Sequence, residues 1–238
     1  MCFFLKRCIA ILLFCVICLS GCGSHMLSSD VKKTMTALNQ KYQRDFNHYK
    51  WYNSDFYTTE GGFPYSAKVE NGTLHDKVVS ETVGGVVAEH YAYDLSEKDI
   101  NAKIAVLFVG EAGKNNDDSN EIDMNITVSD YMKKYNIADI WARVVIDEDT
   151  YEKSEDWYKT FISVSESIAN DYNGFMTVSM YVSSDMDKTE KFFGQVPVDA
   201  MSNTLIEEFC QTKDVSGFGI QDGKCVETVK DIIADVKS

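Results

Sequence analysis

The stretch FMTVSMYV at residues 175–182 alternates between two kinds of side chain along its whole length. Every second residue is apolar and would share one face of an extended chain: Met176, Val178, Met180 and Val182. The opposite face carries Phe175, Thr177, Ser179 and Tyr181, and its polar groups suit contact with water. The pattern predicts a strand in a sheet with one packed face and one partly wet face.

Other segments predict the partners of this strand. Residues 104–109 and 140–146 are rich in Val and Ile and are expected to be strands. Residues 51–58 and 64–71 look extended around the turn signal Glu60-Gly61-Gly62 and predict a hairpin. Helical periodicity is found at about 30–48, 75–93, 130–135, 154–173, 185–193, 199–210 and 226–236. This order predicts an α+β fold, with a mixed or antiparallel sheet and helices packed mainly on one face.

A polar segment interrupts the body of the chain. A break near residues 111–127 is a candidate boundary between two lobes, 30–110 and 128–238, of a domain that spans 30–238. Within it, the loop Asn115–Asp123 is rich in oxygen ligands. An EF-hand starting at Asp117 would need Gly and Glu where Ile122 and Val128 stand, so a solvated loop is expected, with a weak cation site as the alternative.

The N-terminal segment has the layout of a signal peptide. Lys6 and Arg7 precede an uncharged apolar run at residues 9–19, which is shorter than the roughly 20 residues of a membrane-spanning helix. The run ends at Leu19-Ser20-Gly21-Cys22. A plain secretory signal with a chance cysteine is one interpretation of this arrangement.

The four residues 19–22 resemble the lipobox of bacterial lipoproteins. The resemblance implies that residues 1–21 are a leader, that the Cys22 thiol carries a diacylglyceryl group, and that residues 22–29 form a short tether. Two acyl chains hold a protein stably on a membrane. The expected location is therefore the extracytoplasmic face of the cell membrane, with a lipid anchor on Cys22.

Few cysteines remain after the leader. The leader would remove Cys2, Cys8, Cys15 and Cys18, and Cys22 would be lipidated. Two thiols in an oxidising compartment predict one disulfide, between Cys210 and Cys225. Such a loop of about fifteen residues would stabilise the fold by about 3 kcal/mol. Two buried free thiols are the alternative.

The chain is strongly acidic, with a net charge of −14 at neutral pH. Loss of Lys6 and Arg7 with the leader would make the remaining chain two units more negative. This field repels nucleic acid, so no nucleic acid partner is expected. It would attract cationic partners, although solubility alone is the simpler interpretation.

Motifs for catalysis and for cofactors are lacking in the sequence. His48, His75 and His90 are not arranged in a zinc-binding motif. No nucleophile elbow, Walker A loop or dinucleotide fingerprint occurs. We therefore predict no catalytic residues, no metal and no cofactor. A carboxylate paired with His75 or His90 in a pocket would instead favour an envelope hydrolase.

The aromatic residues supply the best candidate for a binding surface. Trp51, Tyr52, Phe56 and Tyr57 cluster around the predicted hairpin and are the expected exposed patch. Ordinary core packing is the alternative for these side chains. The sequence favours a non-catalytic interaction module that binds another envelope or surface protein. A small-ligand or solute-binding lipoprotein is the second interpretation.

Overall fold

A computed structural model describes residues 27–110, 124–152, 157–210 and 212–226. The first half contains α1 (Ser29–Tyr42), β1 (Asn47–Trp51), β2 (Ser54–Thr58), β3 (Pro64–Tyr65), β4 (Ala67–Glu70), β5 (Thr73–Asp76), α2 (Val78–Ser96) and β6 (Ala102–Gly110). The second half contains α3 (Val128–Lys134), β7 (Ile137–Asp147), α4 (Glu148–Glu152), α5 (Trp157–Tyr172), β8 (Met176–Ser183), α6 (Met186–Phe193), a 3-10 turn (Val198–Ala200), α7 (Asn203–Cys210), β9 (Thr212–Gln221) and β10 (Lys224–Cys225).

A five-stranded sheet organises the molecule, with the strand order β10-β9-β8-β7-β6. Strands β7 and β8 are parallel, and the other neighbours are antiparallel. A smaller sheet joins β1, β2 and β3, and β4 forms a separate hairpin with β5. The predicted α+β class with a mixed sheet is confirmed.

The two faces of the five-stranded sheet are covered unequally. We call the face covered by α2 and α5 the first face, and it holds the main core, with Val144, Ile168 and Val178 among its fully buried side chains. The opposite, second face carries a smaller cluster around Val145 and Tyr181, packed against α6 and α7. Helices therefore pack on both faces of the sheet, and the first face holds the larger core.

Helix α2 lies against the open edge of the sheet, beside β6. A Cβ atom added at Gly84 would stand 2.6 Å from the carbonyl oxygen of Val106. Only glycine allows the helix to approach the backbone of β6 so closely. The helix thereby covers part of an edge strand that would otherwise expose its backbone groups.

The predicted elements are present with shifted boundaries. Helix α1 starts where expected, with the Ser28 side chain accepting a hydrogen bond from the amide of Val31, but it ends at Tyr42 and not near His48. The chain then turns into β1. The predicted hairpin at 51–58 and 64–71 is present as the antiparallel pair of β2 and β3, but its second arm divides into β3 and β4. Strands β9 and β10 were not predicted. The helix predicted at 226–236 lies beyond Val226, outside the described residues.

The sheet and the core span the predicted boundary between lobes. Strands β6 and β7 lie on either side of residues 111–127 and pair with each other, and one core cluster includes both Leu38 and Ile168. The loop Asn115–Asp123 lies outside the described residues. Among the residues described, no helix combines the length and the apolar character needed to cross a membrane.

Candidate binding surfaces

An aromatic surface forms where the tip of the β1–β2 hairpin meets α6 and α7. We define it by Trp51, Tyr52, Phe192 and Phe209. The ring centroids of Trp51 and Phe209 are 4.8 Å apart, and those of Tyr52 and Phe209 are 5.0 Å apart at nearly perpendicular planes. Phe192 stacks on Phe209 at 5.7 Å. Such offset and edge-to-face pairs are the favoured arrangements of aromatic rings.

Tyr52 is the exposed member of this surface. It occupies the first position of a two-residue turn between the paired residues Trp51 and Ser54, and its φ is 54°. Left-handed backbone costs a non-glycine residue roughly 1–2 kcal/mol. The side chain is nevertheless 64 % exposed. The hairpin thus holds a large aromatic side chain in water on left-handed backbone.

Lysines border the aromatic surface. A pocket of about 250 Å³ is lined by Trp51, Phe192 and Phe209 together with Lys188, Lys191 and Gln195. The hairpin is fixed at this place by the Tyr49 hydroxyl, which donates a 2.8 Å hydrogen bond to the Gln195 carbonyl. The surface therefore combines apolar rings with positive charge on a chain that is acidic as a whole.

The structure separates the four residues of the predicted aromatic patch into two pairs. Trp51 and Tyr52 lie together at the hairpin tip, as expected. The expectation for Phe56 and Tyr57 is wrong, because these side chains are only 5 % and 2 % exposed. They follow the turn on β2, where Phe56 packs on Tyr49 and Tyr57 belongs to the main core. The partners Phe192 and Phe209 were not predicted.

A buried carboxylate ties the 3-10 turn to α2. Both oxygens of Glu81 accept backbone hydrogen bonds, from Val198 at 3.0 Å and from Asp199 at 3.1 Å. Burial, followed by the charge of Asp199, raises the pKa of Glu81 well above its ordinary value. The side chain therefore acts as a cap for the start of the turn, in a setting where its charge is costly.

Arg143 faces the same turn from the sheet. Its Nη1 donates to the Val198 carbonyl at 3.2 Å. Burial lowers the pKa of Arg143, and the charges of Tyr181 and Glu81 act in the opposite direction. Glu81 and Arg143 thus both bind the backbone at the start of the turn, Glu81 through two N–H groups and Arg143 through the Val198 carbonyl.

The histidine sites do not match a catalytic arrangement. His75 lines an open cleft of about 460 Å³ with Glu70 and Asp199. The Lys68 hydrogen bond and charge lower the pKa of Glu70, so this carboxylate is a poor proton donor. Asp199 accepts a 2.7 Å hydrogen bond from Ser66. The cleft therefore brings His75 near carboxylates that are already engaged with Lys68 and Ser66.

The two other histidines each lie within hydrogen-bonding distance of another side chain. His48 Nε2 lies 2.8 Å from Asp55, and His90 Nδ1 lies 3.1 Å from the Tyr172 hydroxyl. Within the described part of the chain, no three His, Cys, Asp or Glu side chains converge to hold a metal ion.

The predicted disulfide is wrong for this fold. Cys210 and Cys225 are both free thiols. Cys225 pairs with Ile220, which lies opposite Met176, whereas Cys210 precedes Thr212, which lies opposite Ser183. The two cysteines are thus at opposite ends of β8, roughly 23 Å apart at the usual rise of a strand. A disulfide needs Cα atoms within about 7 Å.

Comparison with protein-family models, with curated proteins and with solved structures found no match to this chain.

Proposed function

We propose that the chain is a membrane-anchored, extracytoplasmic lipoprotein whose folded body is a non-catalytic protein-interaction module. The proposal of an interaction module rests on Tyr52. This large aromatic side chain is exposed at a strained turn and packs against further aromatic rings. Exposed Tyr and Trp side chains supply contact area at low entropic cost, and they are enriched at protein interfaces.

The anchor is proposed from the leader alone. The lipobox at residues 19–22 would place a diacylglyceryl group on Cys22, and α1 begins at Ser29 only a few residues later. A tether of this length would keep the body near the membrane surface. Mass spectrometry of the protein from membranes is expected to find Cys22 as an acylated N-terminus. An unmodified N-terminus at another residue contradicts the anchor.

The binding surface is proposed to be the aromatic surface with its lysine border. Tyr52 and Trp51 would be the anchors, and Lys188 and Lys191 would select a partner with acidic groups at the rim of the contact. The partner class is another envelope or surface protein. Nothing in this role requires a cofactor.

Site-specific photo-crosslinking in intact cells tests the module. A photoreactive residue at Asn53, beside Tyr52 in the turn, is expected to crosslink to one defined protein. The same residue at Thr73, which is exposed on β5, serves as the control and is expected to give no such product. Crosslinking at both positions, or at neither, contradicts the assignment of the surface. A Cys22→Ala variant, released from the membrane, is expected to lose the product.

A further inference from the structure

A cavity of about 410 Å³ lies on the other side of α6 from the aromatic surface, between α2, the edge strand β6 and the segment after α6. Phe63, Phe193, Val196 and Met201 contribute most of its apolar wall. Its volume falls within the range of ligand pockets, and its lining is mainly apolar with a few polar groups, as is usual for such sites.

The backbone of β6 is open where it borders this cavity. Within the part of the chain that the structure describes, β6 is the last strand of the sheet, and one of its edges has no neighbouring strand. Asn101 and Asp147 are bonded through the Asp147 amide and the Asn101 carbonyl. Hydrogen-bonded and non-hydrogen-bonded residue pairs alternate along an antiparallel ladder. Ile104 lies three residues after Asn101 and opposite Val144, so it belongs to a non-hydrogen-bonded pair. Its N–H and C=O groups therefore point away from β7.

Helix α2 occupies only part of this edge. Gly84 lies against the Val106 carbonyl, which also points away from β7 and agrees with the alternation. Ile104 lies two residues earlier and lines the cavity. Among the described residues, no hydrogen-bond partner is found for its outward N–H and C=O. Such an edge is a template for one more strand.

The charges at the cavity favour a cationic occupant. Glu89 and Glu190 contribute carboxylates to the lining, and Lys103 contributes one ammonium group, whereas the Glu81 carboxyl group is already bound to the turn backbone. Lys103 is paired with Glu190 at 2.9 Å. Glu89 is exposed and has no ion pair within the described structure. Glu89 therefore supplies a negative charge beside a site whose open backbone needs a partner with its own N–H and C=O groups.

We propose that this cavity binds an extended peptide segment of another protein that carries Lys or Arg next to apolar residues. The segment adds as a short strand to β6 at Ile104. An apolar side chain enters between Phe63 and Phe193, and a basic side chain reaches Glu89 at the rim. Main-chain bonds supply affinity, and the pockets for side chains supply specificity, as in other cases of strand addition.

The cavity is separate from the aromatic surface. Peptide binding at the cavity and partner binding at the aromatic surface can therefore be tested separately. Binding is measured with the full-length protein in detergent and a fluorescent peptide, KVKVKV, blocked at both ends. Its affinity is expected to fall about three- to tenfold in the double variant Glu89→Gln with Glu190→Gln. The double variant Glu207→Gln with Glu208→Gln makes the same charge change on α7 and is expected to bind normally, as is Tyr52→Asn.

Two further measurements test strand addition itself. The peptide KVKPKV keeps all three Lys residues but lacks one backbone N–H, and it is expected to bind at least tenfold more weakly. Hydrogen exchange at the Ile104 amide is expected to slow when KVKVKV is bound. Equal affinity for KVKPKV or for EVEVEV, equal loss in both double variants, or unchanged exchange at Ile104 overturns the proposal. Competition by hexylamine at the same concentration as the peptide overturns it in favour of a small-cation site.

Discussion

The two faces of the five-stranded sheet differ in what they contain. The first face is a continuous core that joins α1, α2, α5 and the sheet through fully buried side chains such as Leu38, Ile140 and Ile168. The second face carries a smaller core, the buried Glu81 carboxyl group, the half-buried Arg143, a strained turn nearby and the exposed ring of Tyr52.

The proposed binding surface belongs to the part of the molecule that adds less to stability. Apolar burial dominates folding free energy, so the larger core of the first face supplies most of the stability. Strained backbone and exposed aromatic side chains lower stability, and they persist where a structure is used for binding. The following variants test the proposal that binding takes place on the second face, together with this division of stability between the faces.

The largest loss of stability is expected from a core truncation on the first face. Phe161 is buried on α5 and packs on Tyr91, Trp157 and Phe218. Phe161→Ala is expected to lower the free energy of unfolding by about 3–5 kcal/mol, as for other large-to-small core changes. Urea denaturation measures this loss. A loss below about 1 kcal/mol would show that the main core lies elsewhere.

A substitution where α2 contacts the edge of the sheet is expected to cause the next largest loss of stability. Alanine normally stabilises a helix relative to glycine by about 1 kcal/mol. Gly84→Ala is expected to have the opposite sign and to cost about 1–3 kcal/mol, because the new Cβ meets the Val106 carbonyl. Val86→Ala, on the exposed side of the same helix, is the control and should change stability by less than about 0.5 kcal/mol. A stabilised Gly84→Ala variant contradicts the close approach.

Removal of the buried carboxyl group of Glu81 is expected to cause an intermediate loss of stability. Glu81→Ala leaves the amides of Val198 and Asp199 without their acceptor and is expected to cost about 1–3 kcal/mol. Chemical denaturation at one pH measures the loss. An unchanged stability would mean that water or another group replaces the carboxylate without cost.

The pH dependence of stability gives a second test of the role of Glu81. Its folded pKa is raised above the unfolded value of about 4.3, so the folded state keeps a proton that the unfolded chain has lost. The stabilising contribution is therefore fully present below pH 4.3 and is lost as the pH rises through the folded pKa. The stability of the wild type relative to Glu81→Gln is expected to fall across this window. If the stability of the wild type relative to Glu81→Gln increased with pH, the raised pKa of Glu81 would be contradicted.

The smallest change in stability is expected at the hairpin tip. Tyr52→Asn removes contacts with Phe209 but places a residue that tolerates the left-handed region at φ 54°. The two effects oppose each other, so stability should change by less than about 1 kcal/mol. Thermal unfolding measures this. A loss as large as that of Phe161→Ala would make Tyr52 a core residue.

Local periodicity explains which parts of the fold could be predicted from the sequence. The helices and the strands β6, β7 and β8 follow apolar patterns that are visible within ten to twenty residues. Strand β9 was missed because it contains Gly217 and Gly219. Gly217 is needed there, since an added Cβ would stand 2.4 Å from the Val178 carbonyl oxygen, a contact made by a distant strand.

The candidate site was only partly predictable for the same reason. Trp51 and Tyr52 stand out as neighbours in the sequence, but Phe192 and Phe209 reach them from far along the chain. Phe56 and Tyr57 look equivalent to Trp51 until the position of the turn is known. Glu81 is one of 37 acidic residues, and its partners Val198 and Asp199 lie more than 100 positions away.

The division between the two faces is tested most directly by measuring stability and crosslinking together in Tyr52→Asn. With the photoreactive residue at Asn53, this variant is expected to keep the unfolding free energy of the wild type and to lose the crosslinked partner. Retention of the partner at wild-type yield by a stably folded Tyr52→Asn protein would contradict the assignment of binding to the aromatic surface.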